Sequence, residues 1–392
     1  MPLRPTRSMR CARYFCNLAF VPRREIILNR WADVDAWKSG SASGVSVDAS
    51  GLAFDRPVEQ VDQYEAATWT SPLTPVGFPA TELIPSWTAT TPGSSFVRIE
   101  LRAAEASGRP TKWYNLGDWA ADDFAFTRTS LKGQDDEDGV VEADILKAAE
   151  GRRWESLQAR VTLHRPAGSE DVPTVQALYA VASAVPAESE PSYPQTAMGV
   201  VLEVPAYCQL IHKGGHALCS AASTAMVLSY WGAGPGPGDY AWVDPSYPDP
   251  WVDHAARHIY DRSFSGCGNW PFNTAYAGRF GVRGFVTRLR SLNEAELFIE
   301  AGIPLIASSS YAAAEVPGLD YTTDGHLVVL AGFTAEGDPV LNDPNSPTND
   351  GVRKRVGRKE WEAAWLRSSR GVVYVIHPES VRLPTPQAQA NW

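Results

Sequence analysis

Between Leu52 and Ser183 apolar and polar residues alternate in short runs, and a period of two admits strands and little else. The stretches "SSFVRIELRAA", "SLQARVTLHRP" and "PTVQALYAVAS" carry the pattern, and "TTPGS", "ASGRP" and "PAGSED" punctuate it with turn residues. Short strands with regular turn signals predict an antiparallel sandwich or jelly roll. The acidic "GQDDEDG" reads as a surface loop, because it lacks the ligand spacing and closing Glu of a calcium loop.

The alternation stops at "AVPAESEPSYPQTAMG", whose Pro, Glu and Ser content marks a linker. Beyond it the pattern changes. "CSAASTAMVLSYWG" reads as a helix stopped by Gly232, "WVDHAARHIYDR" as a second, "WPFNTAYAGRFG" as a short third ended by Gly281, and "NEAELFIEAG" as an amphipathic fourth ended by Gly302. Strands follow in "IPLIASSS", "HLVVLAGF", "DPVLND" and "GVVYVIHP", with "FTAEGDPV" as a hairpin between the middle two. Helices first and antiparallel strands after make this half α+β. The expected division is a disordered or leader segment over 1–24, a β-sandwich over 25–187, a linker over 188–198, the α+β domain over 199–384 and a tail over 385–392.

A net charge of −10 over 392 residues disfavours a nucleic-acid role, and the most basic stretch, "VRKRVGRK", reads as a solvated edge. No run of 18 apolar residues occurs, so no membrane span is expected. The first residues flank a short apolar patch with basic ones, a weak leader pattern that favours the cell envelope or exterior, with the cytoplasm as the alternative. Cys11, Cys16, Cys208, Cys219 and Cys267 are too few and too scattered for a disulfide framework or a zinc site.

Cys219 opens the first helix of the second half. Unpaired N–H groups at a helix start lower a thiol pKa, so this position suits a nucleophile. A nucleophile needs a base, and His326 in "TTDGHLVVLAGF" stands at the mouth of a strand. Asp343 in "VLNDP" ends the next strand, so a hairpin brings it beside His326 as the group that orients the imidazole, with Asn342 and Asn345 as alternatives. Gln209 supplies a side-chain amide that, with the Cys219 N–H, could hold an oxyanion. The bland alternatives are a buried small Cys at a helix end, a His satisfied at a strand end and an Asp holding the turn before Pro344.

Other residues invite weaker readings. His254 and His258 share a helix face with Asp253 and Asp261 nearby, but no clear third ligand accompanies them and packing is the expected role. His216 is too close to Cys219 to serve easily as its base but can line a cleft. Cys208 and Cys267 read as plain buried thiols. Trp69, Trp87, Trp113, Tyr114 and Trp119 fit either a sandwich core or a sugar-stacking face.

"VPAYCQ", "CSAASTAMVLSYWG", "GCGNWPFNTAYAGRFG", "TTDGHLVVLAGF", "VLNDPNSPTNDGVRKRV" and "RGVVYVIHP" together resemble segments of stand-alone bacterial papain-like cysteine peptidases related to the bacteriocin-processing leader peptidases. The likeness covers residues 200 to 378, and the first half is similar to the β-rich domain that precedes the peptidase unit in some members. The resemblance implies a papain-like fold with Cys219 as nucleophile, His326 as base, Asp343 as orienting carboxylate and Gln209 as oxyanion donor. It also implies that Asn269, Trp270 and Asn273 cap a helix and pack near the cleft. The sequence departs from the family pattern at Leu218, where an aromatic residue or Gly is common, and at Ala221, where a Pro is common. No ATP-binding transporter segment follows, so an export-coupled enzyme is not expected. The expected activity is hydrolysis of a peptide or peptidoglycan-like amide through a thioester, without metal or organic cofactor. A peptidyl transferase using the same triad and a catalytically silent cell-wall binding protein are the alternatives.

Overall fold

The computed structural model describes residues 23–124, 126–186 and 190–392. The expected leader, apart from its last two residues, lies outside them, as do Cys11, Cys16 and the start of the expected linker.

The alternating first half forms two seven-stranded antiparallel sheets. Strand Trp154–Pro166 shows why: Leu157, Ala159, Val161 and Leu163 are fully buried, while Gln158, Arg160 and Thr162 between them are not. It pairs with Phe96–Ala104 along most of its length and with Tyr64–Thr70 on its other edge. In the second sheet Thr174–Ala184 lies between Glu25–Trp31 and Glu82–Thr90. The inward faces of both sheets make one core, into which Trp69, Trp87, Tyr114 and Trp119 are fully buried. Those four aromatics therefore serve packing. Trp113 stays partly exposed, its ring flanked by the guanidinium groups of Arg102 and Arg160 at 4.6 and 4.4 Å. The acidic loop is tied down rather than free: Asp136 accepts the Tyr114 hydroxyl at 2.6 Å, and Asp138 pairs with Arg109.

The second half is a mixed unit around a six-stranded antiparallel sheet. The sheet order is Val282–Arg288, Val372–Pro378, Leu305–Tyr311, Thr323–Phe333, Pro339–Asn342, Arg353–Arg355. Helices Cys219–Tyr230, Pro250–Ile259, Trp270–Gly278, Leu292–Glu300 and Arg358–Ser368 surround it. Periodicity did not reveal strand Val282–Arg288 or helix Arg358–Ser368. The strand is buried on both faces, so it does not alternate. The basic "VRKRVGRK" is only partly a solvated edge: Arg353–Arg355 is an edge strand, but Arg358 is buried against Glu296 at 2.7 Å.

The two halves share packing. Helix Trp270–Gly278 inserts Phe272 and Ala275 into the sandwich core. The fit is close enough that a Cβ on Gly117 would meet Phe272 at 2.9 Å, and one on Gly278 would meet Thr88 at 2.7 Å. Arg257 makes a bidentate pair with Asp123 at 2.9 and 3.0 Å across the same junction. The later part of the expected linker also docks: the backbone N–H groups of Gln195 and Thr196 donate to Glu296 at 3.0 and 2.9 Å, and Ala197 is buried. Among the described residues no helix is long and apolar enough to cross a membrane.

Candidate active site

Cys219 is the first residue of helix Cys219–Tyr230, after Leu218, which offers no side-chain cap. The N–H groups of the first turn are left without helix partners there. Gly232, at φ 64°, closes the other end in the left-handed conformation that Gly adopts at no steric cost. From Ser220 to Leu228 every residue is buried, so this is a central helix, not an amphipathic one. Its three buried hydroxyl residues are all satisfied. Ser220 Oγ lies 3.0 Å from the Tyr374 hydroxyl, and Thr224 Oγ1 donates to Asn273 Oδ1 at 2.9 Å. Ser223 Oγ donates to the carbonyl of Leu327 at 3.1 Å, which fixes the helix against the residue next to His326. Ala221, where Pro is common in the resembling family, is fully buried.

His326 sits near the start of strand Thr323–Phe333, and Asp343 follows directly on strand Pro339–Asn342. The two strands pair antiparallel, with Val329 opposite Asn342. That register brings His326 Nε2 to 2.7 Å from Asp343 Oδ1. The neighbouring amides are used otherwise. Asn342 Nδ2 donates to the carbonyls of Val204 and Pro205 at 3.1 and 3.0 Å, and Asn345 contributes only its backbone N–H, to Asp343 Oδ1 at 2.9 Å. The carboxylate, not either asparagine, meets the imidazole. Since Nε2 faces Asp343, the other ring nitrogen remains for the sulfur, and Cys219 and the ring are close enough for each to shift the other's ionisation.

Two further groups hold Asp343, and the sequence reading missed both. The Tyr321 hydroxyl lies 3.1 Å from each carboxylate oxygen, and Lys354 Nζ lies 3.1 Å from Oδ2. Lys354 comes from the edge strand that pairs with Pro339–Asn342, in register with Leu341. A sequence signal for it exists in the turn text "NDPNSPTNDG" between two strand-like runs, which marks a second hairpin.

The three groups shift one another. Burial alone would push the His326 pKa down, but the hydrogen bonds and charges of Asp343 and Cys219 outweigh it and hold the ring up to about 9. Burial would likewise raise the Cys219 thiol, yet His326 and the N–H groups of Leu327 and Ser220 bring it below its ordinary value. Asp343 is also held low: burial opposes ionisation, and His326, Lys354 and the Asn345 N–H overcome it. All three directions favour a thiolate, an imidazolium and a carboxylate.

Gln209 is buried in the loop before the helix. Its N–H donates to the carbonyl of Pro344 at 2.8 Å, which ties it to the residue after Asp343. A Cβ on Gly215 would stand 2.2 Å from the Gln209 carbonyl oxygen, so only glycine lets this loop close against the helix start. The side-chain oxygen of Gln209 is buried without a partner among the described residues.

Cys219 is partly exposed, on the wall of an open cleft of 790 Å³. His216, Trp270 and Cys267 also line it. Cys267 is a plain thiol, pushed up to about 12 by burial and then by the nearby Cys219 charge. Asn269 caps helix Trp270–Gly278 by accepting the Phe272 N–H at 3.1 Å, and Asn273 is buried behind it. The sandwich reaches the same cleft through Glu142, Ala143, Asp144 and Ile145, a contribution that sequence reasoning missed.

His254 and His258 form no site. Their buried rings stack at 4.0 Å, with His254 Nδ1 2.9 Å from the Tyr276 hydroxyl and His258 Nδ1 2.8 Å from the His254 carbonyl. Burial, first of all, depresses them to about 3 and about 4, so both are neutral packing groups. Asp253 binds His212 Nδ1 at 2.7 Å, and Asp261 accepts the N–H of Ser130 at 3.0 Å.

Comparison with known proteins places both halves. Residues 28–183 match the peptidase C39 N-terminal domain and residues 201–373 the peptidase C39-like family. The chain is C39-related in both domains. A search of the curated proteins returns no match. Among solved structures the chain is similar to TmCBM61 in complex with beta-1,4-galactotriose, at 9% identity over 39% of this chain and 86% of that one, with a TM-score of 0.19. It is also similar to the enzymatically active domain of bacteriophage CBA120 tailspike protein 4, at 10% identity over 40% and 19%, TM-score 0.18. A third is the Gap123 glycosylation-associated complex from Streptococcus agalactiae, at 11% identity over 41% and 50%, TM-score 0.19. At those scores the likenesses carry no weight for fold or function. The C39-like match spans Cys219, His326 and Asp343 together.

Proposed function

We propose that this protein is a papain-like cysteine peptidase that hydrolyses a peptide or peptidoglycan-like amide through Cys219, His326 and Asp343. The observation that carries the reading is the placement of His326, hydrogen-bonded to Asp343 at 2.7 Å and close enough to the thiol of Cys219, on the wall of an open cleft, for each to shift the other's ionisation. The C39-like match supports the same reaction class.

In this mechanism the Cys219 thiolate attacks the amide carbonyl carbon and a C–S bond forms. The N–H of Cys219 and the side-chain amide of Gln209 hold the oxyanion. The C–N bond then breaks, and the proton on His326 passes to the departing nitrogen. A water molecule gives a proton back to His326 as its oxygen attacks the thioester. The thiolate leaves and the ion pair is restored. Asp343 keeps the ring oriented and stabilises its charge throughout, as the carboxylate of a triad does.

The test is to substitute Cys219→Ala and His326→Ala separately and to follow cleavage of a mixed peptide pool by mass spectrometry. Each variant should lose activity by on the order of 10³-fold or more. Full cleavage by either variant would overturn the assignment.

A further inference from the structure

The cleft has a charge that the triad does not use. Glu142, Asp144 and Asp324 stand on its walls, and no Lys or Arg lines it among the described residues. Glu142 is answered by Lys147. Asp324, exposed at the rim, has no cation partner among the described residues.

Asp144 is the unusual member. It is 4% exposed, yet it lies on the cleft wall. Its Oδ2 accepts the N–H of Trp270 at 2.5 Å, the first N–H of helix Trp270–Gly278. Burial and the charge of Asp261 push its pKa up to about 7 against the pull of that N–H. The cation within electrostatic reach, Arg288, is already paired with Glu82. Among the described residues Asp144 thus lacks a counter-ion, and a buried carboxyl in that state favours any cation that enters beside it.

The residue is delivered there by another domain. Strands Gly139–Glu142 and Ile145–Ala148 form a hairpin of the sandwich, joined by Ala143 and Asp144 alone. Ala143 adopts φ 53°, a conformation that costs energy for a residue with a Cβ. The turn extends the sandwich to the wall that Cys219 shares.

We propose that Asp144 is a specificity determinant, selecting substrates that place a cationic nitrogen beside the scissile amide. This rests on the cysteine-peptidase reading above. The cation is a Lys or Arg side chain or a free amine, and the sandwich domain thereby completes the substrate site of the peptidase half.

The experiment labels the full-length protein with acetyl-tripeptide chloromethyl ketones carrying Lys or its neutral isostere norleucine at each position. A norleucine reagent with a free amino terminus forms a further arm. The rate at Cys219 is followed by mass spectrometry. A cationic reagent should label about tenfold faster than its neutral counterpart, what one partly desolvated ion pair supplies. Faster labelling with Lys identifies a side-chain cation, and with the free terminus an α-amine. Asp144→Asn keeps an oxygen for the Trp270 N–H but removes the charge, so it should bring the ratio to within about twofold. A purely structural role would lower both rates and leave the ratio unchanged, which would overturn the proposal. Equal rates in the unsubstituted protein would overturn it without any variant and leave the peptidase reading standing. No labelling of Cys219 by any reagent would overturn both.

Discussion

Lys354 Nζ lies 3.1 Å from Asp343 Oδ2, while His326 Nε2 occupies Oδ1 at 2.7 Å. One buried carboxylate is therefore shared by two cations, and the second repels the charge that the first must carry. Lys354→Met should raise the His326 pKa further and move the alkaline limb of the pH–rate profile to higher pH. It should also cost about 1–3 kcal/mol of stability, the scale of a lost charged hydrogen bond. A pH–rate profile and a thermal melt check both parts.

Asp343→Asn should have the opposite effect on pH. The His326 ring loses the negative charge that offsets its burial, so its pKa falls from about 9 and the alkaline limb shifts down. Activity should drop by roughly 10²–10⁴-fold, because the charge that stabilises the imidazolium goes. Titration of the His326 ring by NMR in the two proteins reads the shift directly.

Thiol reactivity should separate the described cysteines. Cys219 is held below its ordinary pKa, so it should alkylate with iodoacetamide at neutral pH. Cys208 and Cys267 are raised by burial and should stay unmodified. The sign for activity follows from the same pair. The form with thiolate and protonated ring should persist up to about pH 9, and on the proposed mechanism turnover should fall above that as the ring loses the proton meant for the leaving nitrogen. His326→Ala should slow Cys219 alkylation at neutral pH, since the thiol then regains its ordinary or a higher pKa. Peptide mapping after a short iodoacetamide exposure is the measurement.

Tyr321→Phe removes the hydroxyl 3.1 Å from both oxygens of Asp343 and nothing of Cys219. The carboxylate keeps His326, Lys354 and the Asn345 N–H, so the fold should hold. The turnover should fall by roughly tenfold, the kinetic equivalent of one hydrogen bond to a charged group. Steady-state kinetics with a melting curve separates this from unfolding.

Phe272→Ala should destabilise the whole chain by about 3–5 kcal/mol, as removal of a fully buried aromatic does. Phe272 belongs to the peptidase half but is packed into the sandwich core, so both halves should unfold together. A single transition at lower temperature in calorimetry is the expected result, and two separate transitions in the unsubstituted protein would refute the shared core.

Some of the site was legible because its determinants are local. Gly232 stops the helix that Cys219 opens, and the short turn between Phe333 and Pro339 sets the register that brings His326 to Asp343. Tyr321 was not legible: it precedes its strand in a run of polar residues with no periodicity, and only the chain path brings it back over Asp343. Nor was the role of Lys354, which depends on a third strand pairing at the sheet edge. The aromatic residues of the sandwich fit two readings, and burial of Trp69, Trp87, Tyr114 and Trp119 decides for the core.

The amino-acid order by itself determined the periodicities, the turns and the chemical types at Gln209, Cys219, His326 and Asp343, since those depend on neighbours a few positions apart. Tertiary structure alone decided that the sandwich lends Asp144 to the cleft, that Phe272 fastens one domain to the other and that Asp343 serves two cations. The reason is physical: periodicity states which face of an element is apolar, whereas the identity of the opposing surface is a property of the packed whole.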